Sequence, residues 1–477
     1  MEKSPNLKAK TFGELKKTGY QLKSVRKEIQ DNLIAKLKTG ETLFPGIHGY
    51  SDTVLPQIVH ALLSGHHIVF LGEKGQAKSR IIRAMTDFLD EYIPVVSGTP
   101  VPEDPFQPVT REAKNLIEKF GDELPISWMH RSQRYGERLS AGLKISDLIG
   151  DIDPSKLISG SPLSSEGALH FGIIPRTNRG IFAINELPDL DYLVQVALFN
   201  IMEEGDIQIR GYPFHFPLDI IISFSANPTD YSRSGKIISQ LKDRMGSEIR
   251  THYPDSRELS LNITRQEATP VNCDIPLAFP LFMEEVNEEL TRQARQSRHI
   301  NQKSGVSARF SIANYETLAA SATRRALILK EEKAVVRPTD MGNIFASSLG
   351  KIELDPYRDE AMTEYHLLST LIEAAFKEIF LEKFASNEHE KIMDAIAAEL
   401  LSAGHIETSD FMKVENYKSL LNVIPSIFDF INILKADKDI YLMASAFEFI
   451  LEGLTSLKRI TRKKTGQLHI FKSMDAY

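Results

Sequence analysis

The chain has 477 residues, of which 42% are hydrophobic and 25% are charged, a composition typical of a globular protein with two to four domains. Its single cysteine, Cys273, excludes an internal disulfide framework, and no apolar run approaches the about 20 residues of a membrane span. We therefore expect a cytoplasmic protein. Residues 1–40 hold ten Lys/Arg and four Asp/Glu, a net +6, which leaves −13 for the remainder and argues against broad nucleic-acid binding.

The first third of the chain alternates predicted helices and strands. Residues 20–37 form an amphipathic helical pattern, which we interpret as a solvated helix or, alternatively, as a basic surface for an acidic neighbour. The pattern of 54–65 predicts a second helix, followed by an apolar strand at 67–71. A further strand is predicted from residue 92 and a helix over 111–121, whereas 140–178 is irregular and rich in Gly, Ser and Pro.

A glycine-started loop ending in Lys-Ser follows the strand at 67–71 and precedes a helical pattern. Main-chain amides of such a loop can face an anion, Lys78 can reach the outer phosphates of a nucleotide, and the Ser79 hydroxyl can bind Mg²⁺. The complete pattern has Gly where this chain has Ala77, a change that costs little if the position has negative φ. The predicted nucleotide-binding residues of the loop are Gly72, Glu73, Lys74, Gly75, Gln76, Ala77, Lys78 and Ser79.

Two more apolar strands are predicted at 180–185 and 219–225, with a helix and a β-hairpin (206–210 and 213–217) between them. Strands that alternate with helices indicate a parallel sheet covered on both faces. The first strand ends at Asn185-Glu186, where such sheets place their ligands. Glu186 can polarise a water as general base, or it is simply a carboxylate favoured at a helix N-terminus.

Three further polar residues are candidates for catalysis. Each is weak evidence by itself, and it is their order and spacing along the chain that support the assignment. Asn227, which ends the strand at 219–225, can orient an attacking water or can be an ordinary turn residue before Pro228. Arg244 can stabilise developing charge on a neighbouring subunit's nucleotide, or it can be a surface residue. Arg309 can contact the terminal phosphate from the side of a helical lid.

Strand patterns disappear after about residue 258, and the remaining segments have helical periodicity. The predicted lid helices are 277–299, 307–330 and 338–350, and the predicted C-terminal helices are 361–385, 389–403, 413–435 and 438–460. The sequence thus predicts four regions: a basic helical segment (1–40), an α/β nucleotide-binding domain (41–257), a helical lid (258–354) and a C-terminal helical extension (355–477). The last region is equally compatible with a plain extension of the lid.

Together these motifs resemble those of the AAA+ ATPases, in particular the magnesium-chelatase ATPase-subunit and MoxR branch. GEKGQAKS resembles Walker A, GIFAINEL Walker B, SFSANP sensor 1, LKDRMG the arginine-finger segment and SARFS sensor 2. DLIGDIDP and its continuation are similar to the helix-2 insertion, and DIQIRGYPFHFP takes the place of the hairpin before sensor 1. The stretch that lines the adenine pocket in the family is matched by Ile47, His48 and Gly49, although Tyr50 stands in place of the usual Gln.

The resemblance implies an α/β fold, with an AAA+ P-loop parallel sheet sandwiched by helices, a helical lid and an additional C-terminal helical region. It implies a homo-oligomeric ring, commonly a hexamer, with ATP at subunit junctions and Mg²⁺ held by Ser79 and the residue at 185. It also implies a protein partner, often one with a von Willebrand factor A domain. Asn185 replaces the Asp of the family pattern and brings no negative charge, so we expect weak Mg²⁺ affinity and slow hydrolysis.

Three functions are compatible with these features. The first is an ATP-hydrolysing ring motor or chaperone that remodels a partner protein or helps to metallate it. The second is a nucleotide-gated assembly scaffold with little turnover, which Asn185 favours and Glu186 and Arg244 oppose. The third is a DNA translocase, a hypothesis that the net negative charge of residues 41–477 disfavours.

Overall fold

The computed structural model describes residues 9–152, 169–208, 215–232, 236–301, 305–356 and 362–474. The chain divides into two compact units, Met1–Tyr253 and Pro254–Tyr477.

A five-stranded parallel sheet lies at the centre of the first unit. The described strands of this unit are β1 (Ile68–Leu71), β2 (Tyr92–Val96), β3 (Ile126–His130), β4 (Tyr135–Leu139), β5 (Gly150–Ile152), β6 (Leu169–Phe171), β7 (Gly180–Asn185), β8 (Asp206–Gln208), β9 (His215–Pro217), β10 (Ile220–Ala226) and β11 (Ser247–Arg250). The sheet has the spatial order β11-β1-β10-β7-β4, and every neighbouring pair is parallel.

Helices surround this sheet. The described helices of the first unit are α1 (Phe12–Lys17), α2 (Val25–Thr39), α3 (Val54–Leu63), α4 (Lys78–Ala84), α5 (Arg111–Phe120), α6 (Ile145–Leu148), α7 (Ile173–Arg176), α8 (Tyr192–Glu204), α9 (Pro228–Tyr231) and α10 (Ser239–Arg244). Short 3-10 turns cover Met85–Phe88, Gly121–Glu123, Arg131–Gln133 and Leu187–Asp189.

Alternate side chains of the central strands enter two different hydrophobic cores. Ile68 and Phe70 of β1 belong to a core that also contains residues of α2, α3 and α4, whereas Val69 and Leu71 belong to a core built with α8. Side chains of a strand alternate between the two faces of a sheet, so both faces of this sheet are covered. The predicted parallel α/β sheet is confirmed.

Helix α2 is part of the core and not a detached solvated helix. Its residues Val25, Ile29 and Leu33 are fully buried in the same cluster as β1. Glu28 of α2 is also buried and forms a salt bridge with the buried Arg134, with 2.8 Å between Oε2 and Nη1. The amphipathic pattern of the basic N-terminal segment therefore reflects packing on the sheet.

Several predicted features of the insertions lie partly outside the described residues. Strands β8 and β9 pair antiparallel, with Ile207 opposite Phe216, which confirms the strands of the predicted hairpin; residues 209–214 between them are not described. Strands β5 and β6 flank the predicted helix-2 insertion, whose residues 153–168 are likewise not described. Strand β2 pairs with β3 in a separate antiparallel ribbon and does not join the central sheet.

The second unit is mainly helical. Its described helices are α11 (Arg257–Glu267), α12 (Leu281–Gln296), α13 (Ala308–Leu329), α14 (Phe345–Leu349), α15 (Glu364–Phe384), α16 (Asn387–Ala403), α17 (Tyr417–Val423), α18 (Ile427–Ile433) and α19 (Ile440–Ser456), with 3-10 turns at Pro338–Asn343 and Val414–Asn416. Its described strands are β12 (Leu277–Ala278), β13 (Ala334–Val335), β14 (Ile406–Ser409), β15 (Ile460–Thr465) and β16 (Leu468–Ser473).

One hydrophobic core extends through the second unit, from Phe282 on α12 to Phe471 on β16. The predicted lid (258–354) and the predicted extension (355–477) therefore share a core, and the structure places them in one unit. The C-terminal region also differs from the all-helical prediction, because β14, β16 and β15 form an antiparallel sheet. The basic stretch 458–464, at the end of the predicted helix 438–460, largely forms β15 in this sheet.

Candidate functional site

The side chain of Lys78 lies inside the loop that joins β1 to α4. Its Nζ donates hydrogen bonds to the main-chain oxygen of Gly72 at 2.5 Å and to that of Glu73 at 2.7 Å. Burial lowers the pKa of Lys78 to about 8, although the negative charges of Glu73 and Glu186 act in the opposite direction. The loop therefore holds a half-buried cation whose hydrogen-bond partners are neutral carbonyl groups.

Ala77 has φ 57° and ψ 14°, which is the left-handed region of backbone space. The expectation that the Gly-to-Ala change costs little depended on negative φ at this position, and it is wrong. A left-handed conformation costs an L-residue about 1–2 kcal/mol because Cβ approaches the following carbonyl oxygen. The loop 72–79 therefore has at position 77 a backbone conformation that favours glycine, although the residue there is alanine.

The buried side chain of Gln76 fastens the loop from within. Its Oε1 accepts a hydrogen bond from the amide of Glu73 at 3.0 Å and another from Thr251 Oγ1 at 2.7 Å. Gly72 must be glycine here, since a Cβ at that position would lie 1.8 Å from Thr251 Oγ1 and 2.3 Å from Gln76 Oε1. Gln76 therefore sets the curvature of the loop, and one of the loop amides is already engaged by it.

The predicted adenine-lining segment is connected to this loop through Tyr50. Ile47, His48 and Gly49 precede α3, and Gly49 has φ 79°. The Tyr50 hydroxyl lies 3.0 Å from the carbonyl oxygen of Gln76 and 2.8 Å from that of His252. The tyrosine that departs from the family pattern thus ties segment 47–50 to the phosphate-binding loop.

Asn185 is buried at the end of β7, and its amide has three side-chain partners. Oδ1 accepts hydrogen bonds from Ser225 Oγ at 2.8 Å and from Ser79 Oγ at 3.3 Å. Nδ2 donates to Glu137 Oε1 on the neighbouring strand β4 at 2.6 Å. The structure therefore brings the two predicted metal ligands, Ser79 and Asn185, into contact and adds two residues that the sequence analysis did not identify.

Ser225 and Glu137 differ in how visible they were in the sequence. Ser225 is a polar residue inside the apolar run of β10, a signal that could have been used. Glu137 belongs to a short polar strand, YGERL, which has no apolar run to mark it.

Glu186 directly follows Asn185 and is exposed, with a left-handed backbone at φ 61° and ψ 48°. Non-glycine residues in this region cost energy and are concentrated at functional sites. The conformation ends β7 sharply and begins the 3-10 turn Leu187–Asp189. The carboxylate of Glu186 is close enough to Lys78 to influence the pKa of its amine.

The remaining candidates have other local roles. Asn227 caps α9, since its Oδ1 accepts hydrogen bonds from the amide of Thr229 at 3.2 Å and from the Thr229 hydroxyl at 3.0 Å. Arg244, at the end of α10, forms an ion pair with Glu203 of α8, and its side chain is 40% exposed. Arg309 is exposed near the start of α13 in the second unit.

Two features are absent from the described residues. No group of three or more His, Cys, Asp and Glu residues among them is arranged to hold a metal ion. Among the helices of those same ranges, none has the length and apolar character needed to cross a membrane.

The fold and the site define the class of the protein. If the five strands of the central sheet are numbered by their order along the chain, they lie side by side in the order 5-1-4-3-2. The lysine-bearing loop follows strand 1, which is β1, and the Asn-Glu pair lies at the end of strand 3, which is β7. This is the P-loop nucleotide-binding fold of the AAA+ ATPases. Within that class, the chain is similar in sequence to magnesium-chelatase ATPase subunits.

Sequence comparison gives the basis for this placement. The chain is 30% identical over 234 residues to magnesium-chelatase subunit ChlI of Anabaena variabilis, an alignment that covers 47% of this chain and 62% of the relative. It is 33% identical over 197 residues to ChlI of Guillardia theta, covering 39% of this chain and 50% of that protein. The chain therefore spans about half to three fifths of the length of these relatives. No protein-family model matches the chain.

Among solved structures, one similar chain comes from a model of the complex between subunits BchI and BchD of magnesium chelatase. It is 21% identical, covers 66% of this chain and 96% of its own length, and has a TM-score of 0.36.

Proposed function

We propose that the protein binds and hydrolyses ATP with Mg²⁺ and uses the cycle to act mechanically on a partner protein. The observation that carries this proposal is the position of Lys78, a half-buried cation inside the loop, next to the Ser79–Asn185 contact and the exposed Glu186. A cation for the outer phosphates, hydroxyl and amide oxygens for the metal ion, and a carboxylate for water are the elements that phosphoryl transfer requires.

The residues of the first unit divide this work between them. Lys78 neutralises charge on the outer phosphates, and the loop amides of Gly75 to Ser79 hold the phosphate oxygens. Ser79, with Asn185 beside it, would hold the metal ion, which would neutralise charge on the phosphates. Glu186 accepts a proton from the attacking water. The segment 47–49 lines the adenine pocket.

Two arginines and one asparagine complete the proposal. Asn227 orients the water from the C-terminal end of β10, where its Oδ1 accepts hydrogen bonds from Thr229. Arg244 reaches the nucleotide of a neighbouring subunit after release from Glu203, and its side-chain exposure of 40% supports this role. Arg309 acts from the lid. The role of Arg244 requires a homo-oligomer, because the arginine of one subunit must reach the nucleotide of the next. We propose that this oligomer is a hexameric ring.

The partner and the rate of turnover belong to the same proposal. We infer a protein client, with a von Willebrand factor A domain as a candidate partner, that is remodelled or supplied with metal. Slow hydrolysis is part of the proposal, since the residue that ends β7 is the neutral Asn185. The second candidate function, a nucleotide-gated scaffold, is favoured by the same neutral amide.

The test compares three variants of the full chain. Lys78→Ala removes the half-buried cation of the loop and should abolish binding of a fluorescent ATP analogue. Lys114→Ala, on the exposed face of α5, is the control and should bind as the wild type does. Glu186→Gln should keep the affinity and lose phosphate release. Unchanged affinity of Lys78→Ala would refute the nucleotide site, and equal phosphate release by the wild type and Glu186→Gln would favour the scaffold.

A further inference from the structure

The contact between Asn185 and Glu137 has a fixed polarity. Ser79 and Ser225 approach Oδ1 of the amide with their hydroxyl groups, so the other end of the amide, Nδ2, points to Glu137 Oε1 at 2.6 Å. A carboxylate can only accept, so the reverse orientation of the amide would place two acceptors in contact. The pair therefore consists of a neutral donor and a negatively charged acceptor.

The geometry of the two strands explains why this carboxylate belongs to a glutamate. In the parallel register of β4 and β7, Leu139 is opposite Asn185, and Glu137 is opposite Ala183. Glu137 therefore starts two residues, or roughly 7 Å, behind the end of the strand. Its side chain reaches forward to the amide, and 24% of it remains exposed.

The second oxygen of Glu137 has a weaker partner. Oε2 forms an ion pair with Arg83 Nη2 at 2.8 Å, but the Arg83 side chain is 66% exposed. Exposed ion pairs contribute little, because water screens them and the long side chain must be ordered. Both carboxylate oxygens of Glu137 therefore accept from donors, one from the amide of the buried Asn185 and the other from the exposed guanidinium of Arg83.

We propose that Glu137 supplies the negative charge of the divalent-cation site and that Asn185 is a positioning residue that holds this carboxylate towards the Ser79 side. The inference rests on the proposed function, since the cation is the one that accompanies the nucleoside triphosphate. Asn185 and Glu137 then form a pair that carries one negative charge. The family pattern has this charge on an Asp at the end of β7, whereas here it is on Glu137 of β4. The ligand class is a hydrated divalent cation with oxygen partners, such as Mg²⁺ or Mn²⁺.

This arrangement reverses the expectation for one substitution. From the sequence alone, Asn185→Asp should restore the missing charge and strengthen metal binding. In the structure, an Asp at 185 would place a second carboxylate at hydrogen-bond distance from Glu137, and two like charges so close disfavour each other's ionised form. The single substitution should therefore weaken cation binding, and the exchange Glu137→Gln with Asn185→Asp should restore it.

The experiment measures Mn²⁺ affinity by electron paramagnetic resonance, with the full chain and excess ATP analogue. Five proteins are compared: the wild type, Glu137→Gln, Asn185→Asp, the double variant and the control Arg83→Gln. Each single change at 137 or 185 should weaken Mn²⁺ binding about tenfold or more, the usual cost of losing an outer-sphere partner. The double variant should return to within about threefold of the wild type, and Arg83→Gln should bind like the wild type.

Two results would overturn the inference. One is an unchanged Mn²⁺ affinity of Glu137→Gln, and the other is a double variant whose loss equals the sum of the two single losses. Equal losses for Glu137→Gln and Arg83→Gln would show that the ion pair and not the cation explains Glu137. Nucleotide affinity in EDTA separates this inference from the proposed function: if the wild type and Lys78→Ala bind equally in EDTA, the nucleotide site itself is wrong. Thermal unfolding of each variant checks that it is folded.

Discussion

Raising the pH from 7 to 9 should weaken nucleotide binding, because Lys78 is already close to losing its proton. In the nucleotide-free loop the Lys78 amine contacts the carbonyl oxygens of Gly72 and Glu73, and burial lowers its pKa to about 8. Phosphate oxygens would replace these neutral partners by negative ones and raise the pKa again. Binding therefore takes up a proton whenever the free protein has lost it.

The size of the effect follows from this pKa. With a value of about 8, roughly 90% of the free protein carries the proton at pH 7 and roughly 10% at pH 9. The affinity should follow the protonated fraction, which gives about a tenfold loss between these pH values. Most of the loss lies above pH 8, where the phosphates of ATP are already ionised. For the nucleotide-free fold the sign is opposite: a lowered lysine pKa makes folding more favourable as the pH rises through 8 towards 10.5.

The assay is an equilibrium titration of a fluorescent ATP analogue at pH 7, 8 and 9, with constant ionic strength and constant free Mg²⁺. Lys78→Arg is the matched control, because a guanidinium keeps its proton throughout this range. Its affinity should be lower than that of the wild type but independent of pH. If the wild type binds equally well at pH 7 and pH 9, burial in the loop does not perturb Lys78 and the reasoning fails.

Three further outcomes are expected. Ala77→Gly removes the strain of a left-handed alanine, although glycine also increases the entropy of the unfolded chain. The net effect should be a free energy of unfolding about 0.5–1 kcal/mol higher, measured by urea titration of the nucleotide-free protein. A destabilised variant would contradict the strain. Arg244→Ala should keep nucleotide affinity but reduce hydrolysis about 10³-fold, and mixing it with Glu186→Gln should recover activity if the arginine acts between subunits; no recovery would argue for a role within one chain. Glu448→Ala leaves the buried Arg337 without its carboxylate and should cost about 3–5 kcal/mol of stability by chemical denaturation, while a loss below about 1 kcal/mol would show that the pair is dispensable.

The elements that the sequence predicted well are those buried on both sides. Strands β1, β7 and β10 consist mainly of apolar residues because each is covered by two helical layers. Strands β4 and β11 lie at the two ends of the sheet order, and their polar sequences YGERL and SEIR gave no comparable signal. The short strands of the second unit were missed for the same reason, since β15 (ITRKKT) is mostly exposed.

The site could be predicted only where its residues are close in sequence. The loop 72–79 and the pair Asn185-Glu186 are local patterns that follow apolar strands, and the structure brings them together. The role of Glu137 depends on the register of β4 against β7, and 48 positions separate Glu137 from Asn185, so no local pattern contains it. The backbone at Ala77 was misjudged because φ at a single position depends on how the loop is held, here by Gln76 and Thr251.

The left-handed backbone at Glu186 has a consequence for laboratory evolution of this protein. Of the three non-glycine residues with positive φ that the structure describes in the first unit (Ala77, Arg179 and Glu186), two border the phosphate loop and the end of β7. A selection that rewards heat resistance alone should accumulate Gly or Asn at position 186, since these residues adopt the conformation at lower cost. Such clones would gain thermal tolerance and lose turnover, so a selection must also reward turnover if position 186 is to keep its glutamate.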